Sequence, residues 1–449
     1  MIASAERARL IASVADAVAD ELAADQARAD EAGRPRKPPE DERVFARALI
    51  RQRLEAESHR RLRADTAALE PTEEDTLARE AFDRLYGLGR LQRHLDDSRV
   101  SDIHVQGADV VWLKLLDGTW ERGAPVADSD AELVELLRTA AARVGRTERR
   151  FDAANPELNL QLPDGSRLFA VMEVAARPSL SIRKHQFELS SLTDLEYRGT
   201  IAAPLAAFLR AAVAARRSIV IGGGVGCGKT TLMRALINEI DQQERLVTIE
   251  DALELGLERF ADRHPNVVTL EAREPNIEGE GGISLEQLVR MGLRMDPDRV
   301  FVGEVRGSEV LPMLLAMSQG QDGSMCTVHA NTARGVFRRI QMYGMLPPHR
   351  LAPEDTAVLI ANAVDFVVHL DKRLVGNTVE RFVTSVVEVR DAQGREVVAN
   401  DVFLPGPDGR AVPTGMVHDE TLRTLEAAGL RPGAVSGCLL YTSPSPRDS

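Results

Sequence analysis

Residues 223–230 read GGVGCGKT, and they stand between an apolar run that ends at Ile221 and a helix-period run of Leu232, Met233, Leu236, Ile237 and Ile240. GxxxxGK[ST] between a strand and a helix is the pattern of a phosphate-binding loop. The glycines let backbone N–H groups converge on phosphate oxygens, and the new helix aims the positive end of its dipole at them. Chance is a poor explanation. Only five of the 56 basic residues are lysines, at 37, 114, 184, 229 and 372, and one of them fills the motif. The loop therefore predicts that Gly223, Gly224, Val225, Gly226, Cys227, Gly228, Lys229, Thr230 and Thr231 line a nucleotide site, with Lys229 on the β and γ phosphates and Thr230 on magnesium. A dinucleotide fingerprint fits less well, because GxGxxG read from Gly222 or Gly224 puts Cys227 or Lys229 in its last small position.

Phosphoryl transfer to water also needs carboxylates near the carboxyl ends of the strands. LVTIED delivers Glu250 and Asp251, and RVFVGE delivers Glu304. Gly303 stands where a magnesium-holding aspartate would be expected, which favours a water-mediated link to the metal. Glu304 is the expected group for polarising the attacking water. A third apolar run, MCTVHA, ends in His329 after a loop with two glycines, GQDGS. Acids often do no more than cap strands, and a lone histidine is commonly structural. At strand ends behind a phosphate loop, these three become candidates for the chemistry.

Composition narrows the remaining classes. A chain of 449 residues, at roughly 150 per domain, makes two or three domains. A net charge of −13 and only 4% aromatic residues speak against a dedicated nucleic-acid binder. Cys227, Cys326 and Cys438 are odd in number and widely spaced, so neither a disulfide framework nor a zinc site is expected. The first residues carry Glu6, Arg7, Arg9 and Asp16 and lack the apolar core of an export signal. Residues 201–221 are the most apolar stretch, and Arg210, Arg216 and Arg217 interrupt it too often for a membrane span. A cytoplasmic protein with at most peripheral membrane contact is expected.

Four regions follow. Residues 1–80 read as a helical appendage, broken by GRPRKPPE at 33–40, suited to docking or assembly. Residues 81–189 carry short alternating runs such as DIHVQG, DVVWLKLLDGTW and SLSIRKH, the pattern of a small α+β sheet domain. Residues 190–436 interleave apolar strands (SIVIGG, LVTIE, RVFVGE, MCTVHA, FVVHL) with helices, as a mostly parallel α/β sheet does. Residues 437–449, GCLLYTSPSPRDS, read as a non-native or disordered tail.

Taken in order, GGVGCGKTTLMRAL, TIEDALEL, RMDPDRVFVGEVRG and GQDGSMCTVHANTARGVFRRI resemble the Walker A, Asp box, atypical Walker B and His box of the secretion ATPase superfamily of type II, type IV pilus and type IV secretion motors. SDIHVQGADVVWL, LQLPDGSRLFAV and PSLSIRKH resemble the N-terminal domain of its tight-adherence (Flp) pilus assembly branch. The resemblance implies a RecA-like P-loop NTPase motor domain behind the small sheet domain, a homohexamer, and docking on inner-membrane platform proteins at the inner face of the cytoplasmic membrane. It implies ATP and Mg2+ as ligands, Glu304 as catalytic glutamate, Glu250 near the metal or water, and His329 as the His-box residue. It also implies phosphate contacts from Arg167 and Arg183. Cys227 replaces a usual Ser or Ala, and Gln321 stands where relatives often have His. A RecA-like DNA translocase or helicase, and a nucleotide-binding scaffold without turnover, are the alternatives.

Overall fold

A computed structural model of the chain describes residues 4–64, 66–144, 150–184, 190–273, 275, 279–376 and 378–436. The expected tail at 437–449, with Cys438, lies outside the described residues. The chain folds as two compact units, Met1–His185 and Gln186–Ser449.

The first unit opens with three helices, α1 (Ser4–Glu31), α2 (Pro39–Arg63) and α3 (Pro71–Tyr86). Pro39 and Pro71 each start a helix, where the missing N–H costs nothing. Val14 and Val18 of α1, Ala46, Leu49, Ile50 and Leu54 of α2, and Leu77 and Ala81 of α3 form one buried cluster. The helical region thus runs on to Tyr86, past residue 80, because Leu77 and Ala81 lie one turn apart on the same buried face.

After α4 (Gln92–Asp96) come β1 (Val100–Gln106), β2 (Val110–Leu115), β3 (Trp120–Gly123), α5 (Asp130–Val144), β4 (Glu157–Gln161), β5 (Arg167–Val171) and β6 (Ser179–Arg183). The strands make one antiparallel sheet in the order β3-β2-β1-β6-β5-β4. Alternation is clean. In β2, Val111, Leu113 and Leu115 are buried with Leu133 and Leu137 of α5, while Trp112 faces outward.

The second unit holds α6 (Leu192–Tyr197), α7 (Ala203–Ala214), β7 (Ile219–Gly223), α8 (Lys229–Ile237), β8 (Leu246–Glu250), β9 (Val267–Glu271), α9 (Leu285–Leu293), β10 (Arg299–Val305), α10 (Val310–Ser318), β11 (Met325–His329), α11 (Ala333–Met345), α12 (Pro353–Ala363), β12 (Phe366–Val375), β13 (Thr378–Gln393), β14 (Glu396–Pro405), β15 (Ala411–Pro413) and α13 (Asp419–Ala427). Nine strands form one sheet in the order β15-β14-β13-β12-β7-β11-β10-β8-β9. Strands β12 through β9 in that order are parallel, and β13 to β15 extend the sheet antiparallel.

Every residue of β7 and β8 is buried, as expected of parallel strands covered on both faces. Ile219 and Ile221 point to a core shared with α7 and α8, and Val220 to a second core shared with α9 to α12. The strand of the phosphate loop is separated from β10 by β11, so the acid of β10 and the histidine of β11 end beside the loop. This is the RecA-like α/β arrangement. The sequence missed β9 and β13 to β15, whose half-buried, charge-bearing residues lack a continuous apolar run. No helix among the described residues is long and apolar enough to cross a membrane.

Candidate functional site

The loop between β7 and α8 is held from several sides. Gly226 (φ +71°) and Gly228 (φ +97°) occupy the left-handed region that other residues avoid. A side chain on Gly223 would stand 2.6 Å from the Leu370 carbonyl and 2.5 Å from Cys227 Sγ, so only glycine lets the loop leave the sheet there. Cys227 is buried, its thiol 3.0 Å from the Gly224 carbonyl, and burial pushes its pKa up. Lys229 and Thr230 open α8, with Thr231 following. A Cβ on Gly224 would meet nothing within 4 Å, which leaves that side of the loop open to a ligand. An open glycine loop at the head of a helix, with a lysine ammonium and a hydroxyl beside it, fits the phosphates and metal of a nucleotide.

Strand register carries the other groups to the same place. His329 pairs with Gly223 across β11 and β7, and Val305 pairs with Val328 across β10 and β11, which puts Glu304 beside His329. His329 Nδ1 lies 3.2 Å from Lys229 Nζ, and His329 Nε2 lies 2.5 Å from Glu304 Oε1. Burial and the Lys229 ammonium push the imidazole pKa down. Arg306, two residues beyond Glu304, donates from Nη2 to Glu304 Oε2 at 2.5 Å and lies 3.4 Å from Asp251. Lys229, His329, Glu304 and Arg306 thus form one chain of contacts along the ends of the strands.

Glu250 behaves differently from the other acids. Its side chain is 2% exposed, and Oε2 accepts from the backbone N–H groups of Glu254 and Leu255, both at 2.8 Å. Burial pushes this carboxyl up to about 8. Its Cγ also lies 3.0 Å from where a Cβ on Gly303 would be. That contact explains the departure from the usual aspartate: Glu250 fills the space an aspartate at 303 would need. The acid set against Thr230 is Glu254, whose Oε2 receives the Thr230 hydroxyl at 3.4 Å.

Glu254 and Arg306 were not singled out in the sequence, although each is a charged residue within four positions of a strand-end acid. Lys372 and Arg381 were also missed. They donate to the carbonyls of Val225 and Gly226 at 2.8 and 2.9 Å. Lysine rarity was the available signal for Lys372.

Arg167 and Arg183 belong to the other unit, where β5 and β6 set them directly opposite one another.

The family described as "Type II/IV secretion system protein" matches residues 85–414. A "Putative conjugal transfer protein" of Mycobacterium tuberculosis (strain ATCC 25618 / H37Rv) is 35% identical over 322 residues, covering 69% of this chain and 87% of that protein. The type IV secretion system protein PtlH of Bordetella pertussis is 32% identical over 317 residues, covering 64% of this chain and 90% of its own. Among solved structures, the VirB11 ATPase of the Brucella suis type IV secretion system in complex with sulphate is 29% identical with a TM-score of 0.36, covering 67% of this chain and 96% of that one.

Proposed function

The chain belongs to the type II/IV secretion system protein family, and from that premise we propose that it is an ATP-hydrolysing motor. It would work as a homohexamer on platform proteins at the inner face of the cytoplasmic membrane and drive pilus assembly or secretion. The observation that carries the reading is the contact chain from Lys229 of the phosphate loop through His329 to Glu304. It joins the group that grips phosphate to the group that would hold the attacking water.

The substrate is Mg·ATP. Backbone N–H groups of residues 223–231 cradle its phosphates, and the Lys229 ammonium offsets charge on the β and γ groups. Thr230, with Glu254 beside it, would hold Mg2+, which when bound neutralises charge on the phosphate oxygens. Glu250 orders the turn that carries Glu254, since it accepts both N–H groups of that turn. Glu304 orients and polarises the water, while Arg306 and His329 fix its carboxylate. Lysine has only donors, so His329 Nδ1 accepts from Lys229, and a neutral ring then carries its proton on Nε2, the atom that faces Glu304. Arg167 and Arg183 are proposed as further phosphate ligands, a role that their fork-shaped donors suit.

The motif order and the sheet domain support the tight-adherence pilus branch, and the same chemistry would serve a type IV secretion machine. Purified protein should release phosphate from ATP with Mg2+. Lys229→Ala should lose nucleotide binding, and Glu304→Gln should bind nucleotide while turnover falls about 100-fold or more. Undiminished phosphate release by the Glu304→Gln variant would overturn the assignment.

A further inference from the structure

Three consecutive carbonyls of the phosphate loop each accept from a different cation. Lys229 Nζ donates to Gly224 at 3.0 Å, Lys372 Nζ to Val225 at 2.8 Å, and Arg381 Nε to Gly226 at 2.9 Å. The first cation belongs to the loop motif. The other two come from β12 and β13, about 150 residues later in the chain, where they are direct cross-strand partners.

Topology explains how they reach the loop. β12 runs parallel to β7, with Leu370 opposite Gly223, and then continues as residues 371–375 past the point where β7 turns into the loop. β13 returns antiparallel, so the hairpin stands along the outer rim of the loop. A Cβ on Gly226 would lie 3.5 Å from Lys372 Nζ, and one on Gly228 would lie 3.6 Å from Arg381 Cδ. Two cations directly opposite on a hairpin repel, and this arrangement weakens the pairing by itself. The carbonyls of the loop are what compensate it.

We propose that Lys372 and Arg381 are positioning residues that hold the phosphate loop in its anion-binding form. The reason is the trans peptide. Each carbonyl is rigidly antiparallel to the N–H of the next residue, so drawing the Val225 and Gly226 carbonyls outward turns the N–H groups of Gly226 and Cys227 the opposite way. Successive N–H groups presented on one side make a concave site for anions. A glycine-rich loop is conformationally free and would otherwise spend that freedom on each binding event. The clamp removes this cost before the ligand arrives, and its two charges add to the local positive field. Its effect therefore falls on binding, whereas the chemical step stays with Glu304.

This rests on the nucleotide reading of the loop, and the test separates the two. The full chain and its Lys372→Gln, Arg381→Gln, doubly substituted and Lys372→Arg forms are titrated with a fluorescent ATP analogue and Mg2+, and amide hydrogen exchange of the loop peptide is followed without nucleotide. The double variant should bind about tenfold more weakly and show a raised KM, with kcat within about threefold of wild type, as expected for the loss of two charge-assisted hydrogen bonds that act on binding. Its loop amides should exchange faster, and Lys372→Arg should behave as wild type in both measurements. Where the wild type binds nucleotide, unchanged binding in the double variant overturns the clamp; unchanged loop exchange overturns it in any case, and so does a Lys372→Arg form as impaired as Lys372→Gln. A wild-type chain that binds no nucleotide defeats the nucleotide reading alone, since faster loop exchange in the variant still reports the clamp.

Discussion

His329 stands 2.5 Å from the Glu304 carboxylate through Nε2 while its Nδ1 lies 3.2 Å from the Lys229 ammonium. An imidazole can satisfy both neighbours only when neutral, because an ammonium donates and a carboxylate accepts. Protonation would set a second cation against Lys229 and break that bond. The site should therefore be intact above the imidazole pKa, which burial and Lys229 hold below the ordinary 6.5. Phosphate release should show an acid limb below pH 6.5, and His329→Gln should lower the plateau about tenfold and remove this limb. An identical acid limb in the variant would assign it to another group.

Gly303→Asp would bring this strand closer to the common aspartate pattern, yet we expect it to do harm. The new side chain would start 3.0 Å from Glu250 Cγ and add a second carboxylate to a buried space. Overpacking and the burial of a second carboxyl should together cost about 2–4 kcal/mol, read as a lower urea midpoint with ATPase activity reduced in parallel. A variant of wild-type stability with tighter Mg2+ dependence would contradict this account.

Acid stability should depend on a residue away from the nucleotide. His264 is 4% exposed, its Nε2 is 2.7 Å from Asn238 Oδ1, and burial lowers its pKa to about 4. The unfolded chain takes up this proton near pH 6.5 and the folded chain only near pH 4, so the stability is present above 6.5 and is lost as pH falls through that window. Wild type should lose about 2–3 kcal/mol from this group between pH 6.5 and 4. His264→Gln should be less stable at neutral pH and show a correspondingly shallower acid slope in denaturant titrations.

Arg299 is 2% exposed and grips Glu244 with Nε and Nη2, both at 2.8 Å, while Nη1 bonds the Val213 carbonyl. Removing it leaves a half-buried Glu244 with Arg216 as its remaining cationic partner among the described residues. Arg299→Ala should cost about 3 kcal/mol, and adding Glu244→Ala should recover part of that loss. Additive costs in the double variant would show that the pair is not coupled.

How far the site could be read in advance depended on whether its residues lie together in the chain. The loop at 223–231 is contiguous, and its turn depends on the backbone freedom of neighbouring glycines, so its place between strand and helix was legible from the motif. Glu304 and His329 could be proposed because each ends an apolar run long enough to recognise as a strand. Glu254 could not be preferred over Glu250, since the two differ only in whether the carboxyl turns inward over Gly303 or outward toward Thr230. Nothing local marks that choice. The parallel strands with continuous apolar runs were legible for the same reason, and β9 and β13 to β15 were not, because half-buried extension strands share their composition with loops.

The sequence by itself determined the phosphate loop, the parallel α/β core and the acids at its strand ends, because periodicity and short-range backbone geometry are properties of neighbouring residues. Only the tertiary structure decided that Glu254 is the acid that meets Thr230, that His329 links Lys229 to Glu304, and that Lys372 and Arg381 lie on the loop. Those contacts are set by strand order and register, with β11 placed between β7 and β10 and β12 running past the end of β7. Register across a sheet is a relation between residues about 100 to 150 positions apart, and it becomes definite only when both faces of the sheet are buried and a slip of one residue would turn every side chain around.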